Sequence, residues 1–221
     1  SYRHFVSAFG CDVQTLPVDA AHHFQPTSNQ IQNAWRSNTR ACLLATPSNP
    51  AGTCINLDAF EEIAEVVSNK RGHLIVDEIY QGVSQEGVPL PTMLSKTDDA
   101  FIVNSFSKYF GMTGWRLGWL IAPDQAVDPL IRIAQNLFIC PSVVAQAAAT
   151  AAFCKEAVEE ADRRSLDLAK KRSLMSEGLT ALGFRIPANP DGAFYLFAEV
   201  PEGAPDAEPF CEQALQQVGV A

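Results

Sequence analysis

The sequence predicts an α/β protein: a three-layer αβα large domain around a mostly parallel sheet, followed by the start of a smaller α+β domain. Three observations predict it. Short apolar runs alternate with amphipathic stretches through residues 1–150, several of those runs end in polar clusters, and after Pro141 the character changes to long helix-like sequence. Near-continuous apolar strands separated by helices belong to parallel sheets covered on both faces.

The elements follow in chain order. SYRHFV (1–6) is already helix-like. DVQTLPV (12–18), CLLAT (42–46), HLIV (73–76), AFIVNS (100–105) and LGWLIA (117–122) read as strands. Between the second and third, NLDAFEEIAEVVSNKRG predicts a helix. Asp58 is its expected N-cap, Phe60, Ile63, Ala64 and Val67 share a face, and Gly72 follows the basic last turn. The region from Ser142 to Gly183 predicts two helices, with Val158, Ala161, Leu168, Met175, Leu179 and Leu182 at roughly helical spacing. Gly183 is expected to end the second. The cluster Arg163, Arg164, Lys170, Lys171 and Arg172 reads as a solvated face. GFRI and GAFYLFAEV read as strands, and DAEPFCEQALQQVG as a helix. The large domain is therefore expected at 1–158 and the beginning of the small domain at 159–221, divided within the long helix. The chain starts inside a helical pattern and stops at QQVGVA, where a further strand is expected. An internal fragment of a longer protein is the expectation.

Composition bounds the function. Hydrophobic residues make up 47% and charged residues 19%, which supports a packed core. A net charge of −9 argues against a nucleic-acid partner. The apolar runs are strand-length and no signal peptide is visible, so no membrane partner and a cytoplasmic location are expected. Six cysteines form no C-x-x-C pair and stand near no histidine at ligand spacing. They read as small buried hydrophobes in a reducing compartment. His22 and His23 are an isolated pair in a polar loop, and no metal site is expected.

Three polar clusters carry the chemistry. PSNPAGT (47–53) follows CLLAT, DEIY (77–80) follows HLIV, and SFSK (105–108) follows FIVN. Ligands of parallel α/β sheets bind at the carboxyl ends of the strands. Asn49, Asp77, Tyr80, Ser105, Ser107 and Lys108 are thus expected to share one pocket, with Arg116 close behind. A lysine at a pocket floor forms a Schiff base with an aldehyde cofactor. An aspartate holds a pyridine nitrogen protonated, so that the ring draws electrons. A tyrosine and an asparagine hydrogen-bond a phenolate oxygen, while hydroxyls and a forked guanidinium hold a phosphate. That inventory matches pyridoxal phosphate, and the glycines of GMTGWRLG let the backbone turn closely around its phosphate.

SNPAGT, DEIY, NSFSKYFGMTGWRLGW and DGAFYLF, in this order, resemble the fold-type I pyridoxal-phosphate enzymes of the class I/II (aspartate-aminotransferase-like) family over essentially the whole chain. By that resemblance Lys108 is the cofactor's anchor and later the proton shuttle, Asp77 the partner of the pyridine nitrogen, and Tyr80 and Asn49 the donors to the 3-oxygen. Ser105 and Arg116 are the phosphate ligands, with Ser107 a weaker one. Lys108, Asp77 and Tyr80 form the catalytic set. Ala51 stands where the family often has threonine. GAFYLF resembles a small-domain strand that is structural or borders the substrate. The family's phosphate-binding turn and ring-stacking aromatic would precede residue 1, and its substrate-carboxylate arginine would follow Ala221. A segment of these 221 residues alone is therefore expected to be nearly inactive.

The resemblance implies an aminotransferase moving an amino group from an amino acid to a 2-oxo acid, as a homodimer. Two alternatives stay open: a carbon–sulfur lyase using the same cofactor, and an effector-binding domain without catalysis. The residues above do not separate the aminotransferase from the lyase, because the cofactor carries the hard chemistry in both.

Overall fold

The computed structural model describes residues 2–84, 88–204 and 206–220. Ser1 and Ala221, the ends of the expected segments, lie outside them. Three of the apolar runs form parallel strands: β1 (Ala41–Ala45), β2 (His73–Asp77) and β3 (Ala100–Ser105). β4 (Gly118–Ile121) closes the sheet antiparallel to β3, giving the order β1-β2-β3-β4. The register sets Ala45 beside Asp77 and Asp77 beside Val103, so the carboxyl ends of the three parallel strands lie side by side.

Seven α-helices accompany the sheet among the described residues: α1 (Tyr2–Ala8), α2 (Ser28–Ala34), α3 (Leu57–Asn69), α4 (Asp124–Leu137), α5 (Val143–Ala151), α6 (Lys155–Ala181) and α7 (Ala207–Val218). α2 starts with a capping box between Thr27 and Gln30. α4 runs through Pro129, a residue that hides a helix from sequence patterning. α6 is continuous across 158/159, where the domain division was expected.

α3 makes the crossover between β1 and β2. Its N-cap is Asn56, whose Oδ1 accepts the Ala59 N–H at 2.8 Å. Asp58, expected as the cap, sits inside the first turn, where its charge meets the positive helix end. Phe60, Ile63 and Val67 face the sheet and are buried with Leu44, Leu74, Val76, Met93 and Ile102. Phe60 is 0% exposed, so truncating it leaves a cavity on both the helix and sheet sides. Phe60→Ala is expected to destabilise the protein by about 3–5 kcal/mol, read as a lower urea midpoint with an unchanged m-value.

Several expectations are corrected. Residues 12–18 form no strand: most are exposed and no neighbouring strand offers them a ladder. The segments GFRI and GAFYLFAEV share one isolated antiparallel bridge, Arg185 with Glu199, and Gly192 makes another with Ser84, while the Phe184 N–H goes to the Leu179 carbonyl of α6 and the Ala193 N–H to the Val83 carbonyl. Arg172 is not on a solvated face. It is 8% exposed and donates Nη1 to the Ala193 carbonyl at 2.6 Å. Cys42 and Cys54 are half-buried, and burial raises their thiols to about 11 and about 12. Cys11, Cys140, Cys154 and Cys211 are exposed rather than buried. Among the described residues no cluster suits a metal ion, and no helix is long and apolar enough to cross a membrane.

Candidate active site

The three strand ends each deliver one wall. After β1, the 47–53 loop is held from beneath by Gln25, whose Nε2 donates to the carbonyls of Ala45 (3.2 Å) and Thr53 (2.7 Å). Its outer edge packs against residues 190–193. The Gly52 carbonyl accepts the N–H groups of Asp191 and Gly192, each at 2.9 Å, and Asp191 Oδ2 accepts the Cys54 N–H at 2.8 Å. A Cβ on Gly52 would stand 2.6 Å from Pro190 Cβ, and one on Gly192 2.8 Å from Pro47 Cγ, so this contact requires both glycines. Asn49 rides on the exposed crest of that loop.

After β2, the side chains of DEIY split between two faces. Glu78 turns inward, 2% exposed, and accepts the Met93 N–H and the Thr92 hydroxyl, both at 2.8 Å. Burial raises its carboxyl above the usual range, against those hydrogen bonds. Asp77 and Tyr80 turn to the site. Asp77 Oδ1 accepts the Ile79 N–H at 2.9 Å, and Oδ2 accepts the Tyr2 hydroxyl from α1. Burial first, then that bond and the carboxylate charge, push the Tyr2 phenol well above the ordinary range. Each carboxylate oxygen keeps a second lone pair.

After β3, Ser105 Oγ accepts the Ser107 N–H at 3.0 Å and lies 2.9 Å from Ser107 Oγ and 3.0 Å from the Leu117 carbonyl. Lys108 is half-buried, with Nζ 5.5 Å from the centroid of the Tyr80 ring and 5.3 Å from that of Phe194. The next residue is pinned to α6: Tyr109 donates to Asp162 at 2.6 Å. Burial, then that bond, raises the Tyr109 phenol to about 12. A cavity of about 140 Å³ lies on the α6 side of the lysine, lined by Lys108, Tyr109, Arg164 and Ser165 among others.

The turn back into β4 needs its glycines unequally. Gly111 has φ +68, and a Cβ on Gly118 would meet the Asn104 carbonyl at 2.6 Å, whereas Gly114 faces open space. Arg116 is exposed, in the left-handed region at φ 52, and donates Nη1 to the Thr113 carbonyl at 3.0 Å. Its neighbour Leu117 ties it to Ser105 through one carbonyl.

Of the expected residues, Asn49, Tyr80 and Lys108 converge, Asp77 stands at the adjacent strand end, and Ser105 and Ser107 form a hydroxyl pair. Arg116 shares their turn but points its guanidinium along its own loop. Sequence reasoning missed Tyr195. Its hydroxyl accepts from Asn49 Nδ2 at 3.1 Å and lies 2.7 Å from the Tyr80 hydroxyl. The clue available was a phenol within GAFYLF, placed after a helix-length gap that gave no register to the site.

The chain matches Aminotransferase class I and II over residues 1–221. It belongs to that family. Among similar proteins, a valine–pyruvate aminotransferase of Mycobacterium tuberculosis is 40% identical across 100% of this chain and 57% of its own length. A (5-formylfuran-3-yl)methyl phosphate transaminase of Methanocaldococcus jannaschii is 32% identical across 88% of this chain and 51% of its own. The crystal structure of an aminotransferase from Mycobacterium tuberculosis superposes with a TM-score of 0.91 at 40% identity, covering 100% of this chain and 57% of that one. The chain thus spans a little over half the length of the aminotransferases it matches.

Proposed function

We propose that this chain supplies the cofactor-binding floor of an aminotransferase that moves an amino group from an amino acid to a 2-oxo acid with pyridoxal phosphate. The observation that carries the reading is the convergence of a lysine amine with a phenol and an amide from three successive strand ends. The donors fit this cofactor by their chemistry: one amine for an aldehyde, one carboxylate with lone pairs for a protonated ring nitrogen, phenol and amide hydrogens for a phenolate, and hydroxyls for a phosphate. When bound, pyridoxal phosphate supplies an aldehyde and an electron-withdrawing ring.

In this reading the Lys108 amine would hold the cofactor's aldehyde group and would also move a proton at the substrate α-carbon. Asp77 holds a proton on the ring nitrogen, and Tyr80 and Asn49 donate to the 3-oxygen. Ser105, Ser107 and Arg116 bind phosphate. Support for Arg116 comes from its backbone, since a left-handed non-glycine residue costs on the order of 1–3 kcal/mol and such strain gathers at ligand clamps. Arg116→Lys keeps the charge but loses the fork. Cofactor affinity is expected to fall about tenfold or more, measured by titrating apoprotein with pyridoxal phosphate. An unchanged affinity would remove Arg116 from the clamp.

The domain division near 158/159, the cytoplasmic location and the homodimer belong to the same proposal. Support for a covered face comes from Ile131, Ile133, Leu137, Phe138, Val143 and Val144, all exposed along α4 and α5. The name of the 40% identical relative makes valine and pyruvate the first pair to assay. The test is amino transfer by the protein expressed from its complete reading frame, across a panel of amino acids and 2-oxo acids. Pyridoxal phosphate bound without transfer to any acceptor would sink the reading.

A further inference from the structure

We propose that Tyr195 is a positioning residue that aims the hydrogen-bond donors of Asn49 and Tyr80 at the oxygen they bind. The inference rests on the cofactor reading above and deepens it at the 3-oxygen.

The Tyr195 hydroxyl stands between the two donors, 3.1 Å from Asn49 Nδ2 and 2.7 Å from Tyr80 Oη. Its ring is fixed from two sides, edge-on to Tyr80 at 5.6 Å and tilted on Phe194 at 4.8 Å. The backbone leading to it is clamped by three parts of the fold. Gly52 receives the N–H groups of Asp191 and Gly192, Val83 receives the Ala193 N–H at 2.8 Å, and Arg172 of α6 holds the Ala193 carbonyl at 2.6 Å. Arg172 is buried, and Ala193 takes φ 58, so the segment is held in one unfavourable shape by its surroundings. That clamp delivers one phenol to one place.

Proton counting gives the consequence. Tyr195 accepts one amide hydrogen of Asn49, which fixes the plane of that amide and the direction of its second N–H. Tyr80 and Tyr195 share one proton between their oxygens and leave one phenolic hydrogen over. Burial, then the Tyr195 bond, keeps the Tyr80 phenol protonated well above the ordinary range, so this hydrogen is available at neutral pH. Without the Tyr195 hydroxyl, the Asn49 amide on its exposed crest and the Tyr80 hydroxyl keep their interaction with each other but lose the group that stands between them.

Donors aimed at an ionised oxygen favour its charged form, so misaimed donors let the bound cofactor keep its proton to higher pH. The experiment compares the wild-type protein from the complete reading frame with Tyr195→Phe, which keeps the ring contacts. The readouts are the pH midpoint of the visible absorbance of bound pyridoxal phosphate and the affinity of apoprotein for pyridoxal phosphate. Tyr195→Phe is expected to raise the midpoint by about half to one pH unit and weaken affinity about two- to tenfold. Phe197→Leu loosens the same segment through its Phe24 contact, centroids 5.2 Å apart, without touching the hydroxyls, and should leave the midpoint in place. An unchanged or lowered midpoint in Tyr195→Phe, or an equal shift in Phe197→Leu, overturns the assignment. Wild-type protein that binds no pyridoxal phosphate overturns the cofactor reading itself, and this inference with it.

Discussion

Lys108→Ala is expected to abolish covalent attachment of pyridoxal phosphate and to lower turnover by about 10²–10⁴-fold or more. The side chain is separable from the fold around it. The Lys108 carbonyl accepts the Gly111 N–H at 3.0 Å, Tyr109 is tied to Asp162, and Ser107 is tied to Ser105, all without the amine. Alanine therefore removes a charge over the Tyr80 and Phe194 rings and leaves the backbone bonds of the turn intact. Lys108→Arg restores that charge but not the nucleophile, because a guanidinium stays protonated. Both variants should fail alike. The measurement is borohydride reduction of the protein loaded with pyridoxal phosphate, followed by peptide mass analysis. The added mass is expected on the peptide containing Lys108 in the wild type and on no peptide in either variant. A reduced adduct that persists in Lys108→Ala would place the anchor elsewhere.

What the sequence made legible depended on how each element is stabilised. β1, β2 and β3 were readable because apolar runs of strand length end in abrupt polar clusters, and their parallel register then carries Asp77 and Lys108 to one edge. DVQTLPV has the composition of a strand, but a strand requires a neighbour, and composition does not report one. GAFYLFAEV misled for a related reason. Its aromatic content suits a sheet, yet Ala193 hydrogen-bonds to Val83 in a loop and to Arg172 of a helix. Arg172 looked like one more surface charge, because its spacing on α6 gives no sign of the carbonyl waiting for it. Glu78 was hidden inside DEIY: β2 ends at Asp77 and the chain turns at Ile79 and Tyr80, so no periodic pattern shows the Glu78 carboxylate turning inward to Thr92 and Met93. Tyr195 lies 115 positions from Tyr80, and only the docking of residues 190–193 onto the 47–53 loop brings them together. The gathering of polar groups at neighbouring strand ends was legible. Long-range closure of the same site was not.

Asp77→Asn is expected to lower turnover on the order of 10²-fold or more while cofactor affinity changes far less. The two effects separate because Asp77 is held by bonds that asparagine can keep. Its Oδ1 accepts the Ile79 N–H at 2.9 Å, and an amide oxygen accepts the same bond, so the turn after β2 and the aim of Tyr80 survive. What asparagine lacks is the negative charge. The Tyr2 hydroxyl now donates to Oδ2, and an amide nitrogen in that place would offer a hydrogen to a group that itself donates. Tyr2 then rotates away or reverses its bond, and no anion remains to hold a proton on the ring nitrogen. The proposed phosphate side is untouched, because Ser105 is tied to the Leu117 carbonyl and Ser107 to Ser105, on the other strand end. The measurement pairs turnover under saturating pyridoxal phosphate with the binding constant from a titration of apoprotein. Asp77→Glu serves as the check on charge: it restores a carboxylate one methylene longer and should recover part of the turnover that asparagine loses. Near wild-type turnover in Asp77→Asn would make Asp77 a cap for the turn at Ile79 and nothing more.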